Sequence, residues 1–212
     1  MPAPRSDSGP SPRAETRQEL LGLLAEKSFR LGNFRLSSGG VSDYYIDCRL
    51  TTLDARGALL TGRLFLGALR GGAAVEAVGG LTLGADPIVV AVAVASALEP
   101  PPIGAFIVRK QEKAHGTGQR IEGVVRPGLP VAILDDVCTT AASTMQAIEA
   151  AWQADLDVRR VLCLVEREEA GGRARLEEFW RGRTGQSCPF TALFTAAQVR
   201  ERHLAQAGRR PA

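Results

Sequence analysis

The sequence predicts an α/β protein in which a mostly parallel central sheet is flanked by helices on both faces. Short apolar runs typical of strands alternate with longer segments of helical periodicity along most of the chain. Such alternation is typical of a parallel sheet covered on both sides. The 212 residues, 45% of them hydrophobic, suffice for one substantial domain with a buried core.

The first half of the chain supplies about half of these elements. We expect, in order, a helix over 14–29, two short extended pieces within 34–49, a helix over 54–70, a strand over 75–80 and a helix over 86–97. Asp54 is expected to cap the second helix, and Asp86 is expected to cap the third, with Pro87 in its first turn. Four of the twelve prolines fall within the first twelve residues, so we expect 1–13 to be a disordered tail.

The second half begins after the triple proline at 100–102, which ends the preceding helix. We expect, in order, a strand over 104–110, a polar loop over 111–123, a strand over 131–136, a helix over 142–154, a strand over 160–166, a charged helix over 170–181, a strand over 190–195 and a helical region that contains His203. Residues 14–212 are therefore expected to form a single domain.

Composition and charge exclude several classes of protein. A net charge of +3 is too small to predict a nucleic-acid partner, and the basic residues of 172–183 are interrupted by Glu177 and Glu178, as on a solvated helix. The longest apolar stretch, 87–98, is too short to span a bilayer. The four cysteines form no C-x-x-C pair, and the N-terminus has no apolar region of a secretory signal. We therefore expect reduced thiols, a cytoplasmic location and no membrane partner.

The stretch VAILDDVCTTAAST, residues 131–144, carries the first candidate site. Asp135 and Asp136 fall where an apolar strand ends, and two adjacent like charges are costly unless a cation, water or hydroxyl donors satisfy them. Threonine and serine hydroxyls follow, and then the N-terminus of a helix, which favours an anion. Together these groups suit a sugar phosphate, although the pair can also be a helix cap and a solvated carboxylate. The G-x-x-x-x-G-K-[ST] pattern of nucleoside triphosphate sites is absent.

This stretch resembles the phosphoribosyl diphosphate (PRPP) binding motif of type I phosphoribosyltransferases. The resemblance implies that Asp135 and Asp136 bind the ribose hydroxyls and that the following turn binds the 5′-phosphate. The PRPP-binding residues implied after the acidic pair are Val137, Cys138, Thr139, Thr140, Ala141, Ala142 and Ser143. Many relatives have glycine at the positions of Ala141 and Ala142, and alanine tolerates a positive φ less well.

A second stretch, VRKQEKAHGTGQRIEG (108–123), resembles the catalytic loop of orotate phosphoribosyltransferases. It places four basic residues, Arg109, Lys110, Lys113 and His115, within seven positions. Alone these residues suit a solvated surface, but beside a PRPP pocket they suit a lid that stabilises the departing pyrophosphate and excludes water. The resemblance implies a homodimer in which the lid, residues 110–122, reaches the partner's site. Removal of Lys113 is expected to cost the most in rate.

Three further stretches extend the resemblance over about residues 15–200. Residues 34–49 resemble the family's N-terminal hood, expected over about 14–50 above a core at about 51–200, and 78–87 resemble its pyrophosphate loop. Arg167 lies where the family binds orotate, with Thr139 as a second contact. Without the resemblance, Arg167 is expected to pair with a neighbouring glutamate at the surface. A guanidinium can meet orotate's carboxylate or carbonyls in fork geometry.

The resemblance implies transfer of the phosphoribosyl group from PRPP to orotate, with Mg²⁺ bound mainly by PRPP and water. No strong base is assigned, because orotate's ring nitrogen is already acidic. Of the pair, Asp136 is the carboxylate better placed to act on a proton, and the alternative that it only positions the substrate stays open. Many relatives have lysine at the positions of Ser37 and Leu83, so we expect either that the lid cations carry more of the pyrophosphate charge or that PRPP binds more weakly. Two alternatives stay open: a purine phosphoribosyltransferase, which shares the PRPP motif, and a PRPP-sensing regulator, which would lack the lid cations.

Overall fold

The computed structural model of the protein describes residues 12–35, 40–111, 120–123 and 125–208. The α-helices in these ranges are α1 (Pro12–Leu23), α2 (Arg49–Thr52), α3 (Ala55–Arg70), α4 (Asp86–Leu98), α5 (Ala142–Gln153), α6 (Gly172–Thr184) and α7 (Ala196–Ala207). The strands are β1 (Phe29–Arg35), β2 (Val41–Ile46), β3 (Ala77–Leu81), β4 (Gly104–Val108), β5 (Ile121–Gly123), β6 (Pro130–Cys138), β7 (Asp157–Glu166) and β8 (Phe190–Thr195). The tail predicted for 1–13 lies almost wholly outside these ranges and stays a prediction.

Six strands form the central sheet in the order β5-β4-β3-β6-β7-β8. All neighbouring pairs are parallel except β4 and β5, which are antiparallel. The predicted fold class, a mostly parallel sheet flanked by helices, is therefore confirmed. Because parallel strands end at the same edge, the carboxyl ends of β3, β6 and β7 bring their following loops together.

Side chains of the central strand β6 alternate between two hydrophobic layers. Ala132 and Leu134 pack with residues of α3 and α4, while Val131 and Ile133 pack with residues of α5 and α6. This period of two is the geometry of a strand buried on both faces, which requires an unbroken apolar run. The run ends at Asp135, so the first polar side chains of β6 appear at the edge of the sheet.

The N-terminal hairpin differs from its prediction. The helix expected over 14–29 ends at Leu23, a π-helical turn occupies Leu24–Ser28, and β1 begins at Phe29. Phe29 pairs with Ile46 of β2 in the antiparallel register. The leucines of 14–29 gave helical periodicity, but cross-strand pairing takes the end of that segment into the hairpin. Strands β1 and β2 form a separate two-stranded sheet.

Two local predictions have different outcomes. Asp54 caps α3, since its carboxylate accepts hydrogen bonds from the amides of Arg56 and Gly57. Asp86, predicted to be a cap, is instead the first residue of α4, and its carboxylate accepts a hydrogen bond from the Thr82 hydroxyl at 2.7 Å. Strand β5 falls within the loop predicted for 111–123, because three residues are too few to show a periodicity.

None of the helices in the described part of the chain has the length and apolar character needed to cross a membrane.

Candidate active site

The predicted acidic pair lies where strand β6 leaves the core. Asp135 is buried, and its carboxylate accepts hydrogen bonds from the Thr144 hydroxyl at 2.6 Å and from the Asp136 amide at 3.0 Å. Asp136 is half-buried, and both carboxylates line a cavity of about 520 Å³. The two groups are therefore not equivalent: Asp135 is bonded to helix α5, and Asp136 is the more open of the pair.

Burial changes the acidity of both carboxyls. Loss of solvation, followed by repulsion from Asp136, raises the pKa of Asp135 from 3.8 to about 7, although the hydrogen bond from Thr144 opposes this shift. Burial also raises the pKa of Asp136, against the opposing effects of hydrogen bonds and of the positive charge of Arg49. The ionised pair is short of compensating charge, so a ligand that supplies hydroxyl donors or a cation would be favoured there.

The turn after β6 leads directly into a helix N-terminus. Thr139 and Thr140 are half-buried and line the same cavity, as does Ser143 at the start of α5. Ala141 precedes α5 in the left-handed conformation, with φ +60°, and supplies no side-chain cap. The first amides of α5 are therefore not capped by that residue, and such amides with neighbouring hydroxyls form an anion site.

The loop between β3 and α4 supplies the facing part of the cavity wall. Gly84 lies so close to Asp136 that an added Cβ atom would be 2.4 Å from Oδ1 and 2.6 Å from Cγ. A side chain at this position would displace the carboxylate. The cavity is lined by Tyr45, Ile46, Asp47, Arg49, Leu81, Thr82, Leu83, Gly84, Lys110, Asp135, Asp136, Val137, Thr139, Thr140, Ser143 and Arg167.

The predicted lid cations are placed only in part. Lys110, just after β4, is exposed and lines the cavity. Arg109 forms an ion pair with Glu122 of β5, with Nη1 and Oε1 3.3 Å apart. Lys113 and His115 lie outside the described residues, and their roles stay predictions.

Arg167 follows the last residue of β7 and reaches the same cavity. Its side chain is only 7% exposed, and its amide donates a hydrogen bond to the carbonyl of Cys138 at 2.9 Å. It does form the ion pair expected of a surface arginine, with Glu169 at 3.1 Å, but it does so from a buried position. The guanidinium also contacts Tyr44 and Ser42 of the hairpin. A buried cation beside the acidic pair and the phosphate-type turn suits recognition of an anionic or carbonyl-bearing molecule.

A second cavity, of about 850 Å³, shares Thr139, Thr140 and Arg167 with the first. It extends to the N-terminus of α7 at Ala196 and to Arg200. Arg167 and the two threonines thus form the wall between two spaces, one of which contains the acidic pair.

The chain closely resembles proteins of one named enzyme family. An orotate phosphoribosyltransferase of Synechocystis is 47% identical over 192 residues, which cover 90% of this chain and 92% of the relative. That of Thermosynechococcus vestitus is 50% identical over 187 residues, with 88% and 94% covered. The chain belongs to the orotate phosphoribosyltransferase family. No protein-family model matches it.

Solved structures of orotate phosphoribosyltransferases share the fold. Crystal structures of the Mycobacterium tuberculosis enzyme, one with Fe(III) dicitrate and one with PRPP, give TM-scores of 0.73 and 0.69. Their sequence identities to this chain are 35% and 32%, and each comparison covers 87% of this chain and 98% of the other. The resemblance predicted from the motifs is confirmed, and the purine-specific and regulatory alternatives are set aside.

Some residues of the predicted orotate phosphoribosyltransferase motif do not line the cavity. Cys138 and Ala141 are buried in the hydrophobic layer on the α5 side, and Ala142 is exposed. Any contact that Cys138 and Ala141 make with PRPP would therefore come from backbone atoms. Leu83, at the lysine position of many orotate phosphoribosyltransferases, does line the cavity, 64% exposed.

Sequence reasoning missed several residues of this site. Ser42 and Tyr44 contact Arg167, and the alternating burial of β2 places both on its inner face. The alternation was visible in VSDYYI, but its partner, Arg167, is 123 residues from Tyr44. Gly84 and Arg49 fall within the stretches 78–87 and 34–49 that carry the resemblance, but nothing in either stretch predicts that they lie near Asp136.

Proposed function

We propose that this chain transfers the phosphoribosyl group of PRPP to N1 of orotate, giving orotidine 5′-monophosphate and pyrophosphate in pyrimidine synthesis. One observation supports this most directly: a single cavity contains the acidic pair, the turn at the N-terminus of α5, and Arg167. The names of the relatives at 47% and 50% identity support the same reaction.

The geometry suggests how PRPP is oriented. Asp136, with Asp135 behind it, accepts hydrogen bonds from the ribose hydroxyls, which supply the donors that the ionised pair lacks. Thr139, Thr140 and Ser143, with the first amides of α5, bind the 5′-phosphate. The sugar is thus fixed at both ends, which aligns its anomeric carbon with the acceptor.

Reaction breaks the bond between the anomeric carbon and a pyrophosphate oxygen, which keeps the electron pair. The new bond forms from N1 of orotate, whose proton is already lost, to that carbon. Arg167 and Thr139 orient the acceptor, and the lid cations Arg109, Lys110, Lys113 and His115 stabilise charge on the pyrophosphate as it leaves. The lid also excludes water from the oxocarbenium-like sugar.

We also propose Mg²⁺ as a cofactor. In the described residues no group of three or more His, Cys, Asp or Glu side chains could bind a metal ion. The carboxylates of Asp135 and Asp136 are hard oxygen donors that line the cavity, which fits an ion that binds one or two protein carboxylates and otherwise substrate oxygens and water. When bound, the ion would neutralise charge on the pyrophosphate.

An exposed apolar surface supports the proposed homodimer. Five large side chains of α4 and the loops around it are between 52% and 75% exposed, and they line a groove of about 980 Å³ between α3 and α4. These residues are Leu53, Leu83, Val90, Val94 and Leu98. A patch of this kind favours a protein partner, and a second copy of the chain is the occupant that we propose.

The position of this groove also suits a shared lid. Leu83 and Arg49 line both the groove and the substrate cavity, so a second copy bound there would lie beside the active site. Sedimentation of Leu98→Glu tests the proposal, with Leu204→Glu, an exposed leucine of α7 outside the groove, as the control. We expect the wild type and the control to be dimers and Leu98→Glu to be a monomer. A monomeric wild type would contradict the proposal.

A cytoplasmic location remains a proposal that rests on cysteine chemistry. Cys48, Cys138, Cys163 and Cys188 are all free thiols, as is usual in a reducing compartment.

The reaction is tested by the loss of orotate absorbance when protein, orotate, PRPP and Mg²⁺ are mixed, and again with each one omitted. We expect the absorbance of orotate to fall only when all four components are present. When adenine, hypoxanthine or xanthine replaces orotate, we expect no change in the absorbance of the purine. Consumption of a purine instead of orotate would show that the acceptor has been assigned wrongly. PRPP binding without any base consumption would favour a regulator.

A further inference from the structure

We infer that Ser42, Tyr44 and Glu169 are positioning residues, which fix Arg167 so that its Nη1 nitrogen is the one offered to the acceptor base. The inference rests on the proposed function, in which Arg167 orients orotate. It adds to that function a set of residues that themselves need not touch substrate.

Every hydrogen bond of the Arg167 guanidinium with the described residues uses the same edge of the group. Nε lies 3.0 Å from the Tyr44 hydroxyl and 3.2 Å from Oε1 of Glu169. Nη2 lies 3.0 Å from Oγ of Ser42 and 3.1 Å from the same glutamate oxygen. Nη1 makes no hydrogen bond with any of the residues that the structure describes, although the side chain is only 7% exposed and lines the cavity. Its two donors are therefore left for a ligand.

The two hydroxyls are arranged to accept from the arginine. Ser42 Oγ donates its own proton to the carbonyl of Tyr44 at 2.7 Å, which leaves lone pairs for Nη2. The Tyr44 hydroxyl donates to Oε1 of Glu169, which leaves lone pairs for Nε. Burial, followed by the bond to Glu169, raises the pKa of Tyr44 to about 12, so this hydroxyl keeps its proton at any working pH. The direction of each bond is thereby fixed.

The hairpin presents these groups because of its strand periodicity. Ser42 and Tyr44 alternate with exposed residues along β2 and point to its buried face. The Tyr44 ring stacks on Phe29 of β1 with centroids 5.3 Å apart, and Cζ of Arg167 lies 4.3 Å from the centroid of the same Tyr44 ring. The arginine is thus both hydrogen-bonded and stacked on one tyrosine, which restricts its rotation.

Glu169 limits how an acceptor can pair with Arg167. A carboxylate pairs with a guanidinium in bidentate fashion, and here one glutamate oxygen already bridges Nε and Nη2. Because both protons of Nη2 are already donated, to Ser42 and to Glu169, the acceptor must use the two N–H donors of Nη1. A base with a carboxylate or carbonyl in the matching plane can do this, and one without such a group cannot. Ser42, Tyr44 and Glu169 therefore contribute to selectivity for the acceptor base rather than to binding of PRPP.

The test compares Tyr44→Phe with the wild type, because this change removes one hydroxyl and keeps the ring. Loss of a hydrogen bond to a charged group predicts a rise in the KM for orotate of about tenfold or more. The KM for PRPP should be unchanged. The matched control is Asp43→Asn, since Asp43 lies on the exposed face of β2, lines only the second cavity and pairs with Arg200 at 2.7 Å. This change removes an exposed ion pair between the hairpin and α7, and it should leave the KM for orotate unchanged.

Ser42→Ala is the second variant, and it should also raise the KM for orotate. It keeps the test available if Tyr44→Phe folds poorly. In an Arg167→Ala background, Tyr44→Phe should have no further effect, because a positioning residue acts only through the group that it orients. An unchanged KM for orotate in both folded variants, or an effect that persists without Arg167, would overturn the inference alone. A wild type that does not consume orotate would overturn the proposed function, and this inference with it.

Discussion

Replacement of the buried carboxylate Asp135 by asparagine should make the ligand-free protein more stable at pH 8, and should have a much smaller effect at pH 5. The pKa of Asp135 in the folded protein is raised to about 7, above its ordinary value of 3.8. A raised pKa means that the folded state binds the proton more tightly, so the associated stability is fully present below pH 3.8 and is lost as the pH rises through about 7. Asparagine resembles the protonated acid and never carries the charge.

The size of the effect follows from the shift. About three pKa units, at ~1.4 kcal/mol each, give about 4 kcal/mol of unfolding free energy lost between pH 4 and pH 8. For a chain of 212 residues this corresponds to a Tm difference on the order of 10 °C. The asparagine can keep both local bonds, since its oxygen accepts from the Asp136 amide and its amide group can donate to the Thr144 hydroxyl.

Thermal unfolding without ligand, followed by circular dichroism at pH 5 and pH 8, measures the difference. We expect the Tm of Asp135→Asn to exceed that of the wild type by much less at pH 5 than at pH 8, while its affinity for PRPP falls at both values. Asp155→Asn is the matched control, because Asp155 is exposed and asparagine tolerates its positive φ of 55°. A stability difference between Asp135→Asn and the wild type that is the same at both pH values would refute the reasoning.

Three further predictions concern Gly84, Ala141 and Lys113. Gly84→Ala should push the Asp136 carboxylate aside and raise the KM for PRPP about tenfold or more. The Tm should change little, because the added methyl group meets only the end of a flexible side chain. Gly182→Ala, whose added methyl group meets nothing within 4 Å, is the control, and equal effects of the two variants on the KM for PRPP would contradict the assignment. Ala141→Val should lower the free energy of unfolding by about 2 kcal/mol or more, because a β-branched residue is forced into a buried left-handed position. In chemical denaturation, the free energy of unfolding of Ala141→Gly should stay within about 1 kcal/mol of the wild-type value, because relief of the positive φ offsets the loss of the methyl group. A large loss of stability in Ala141→Gly would show that the positive φ does not account for the loss in Ala141→Val. Lys113→Ala should lower kcat about 10²- to 10³-fold with the circular dichroism spectrum intact, and a fall of less than about threefold would contradict the lid assignment.

Much of the fold could be predicted because the strands of the central sheet are continuous apolar runs between helices. β6 is the best example, since Val131–Leu134 have no polar residue and Asp135 marks the sheet edge directly. The hairpin was placed less well. Phe29 continues a leucine-rich helical pattern, and only its pairing with Ile46, seventeen residues later, takes it into a strand. Such pairing is a tertiary effect that local periodicity does not contain.

In the candidate site, too, local features could be predicted from the sequence and tertiary contacts could not. The acidic pair, the hydroxyl turn and the basic loop are local in sequence, and each contains the chemistry that its motif needs. The environment of Arg167 is not local, because Ser42 and Tyr44 lie more than 120 residues away. The close approach of Gly84 to Asp136 is likewise a tertiary contact that the local sequence does not predict. Sequence therefore predicts which groups are present more readily than it predicts what orients them.

The hydrogen bond between Thr144 and Asp135 has a consequence for the entropy of binding. It joins residues nine positions apart and so closes the phosphate-type turn at its base. A closed loop has fewer conformations than an open one, so part of the ordering that a bound phosphate requires is present before any ligand arrives. The turn can then be expected to bind inorganic phosphate with a smaller entropic penalty than a free loop of the same length.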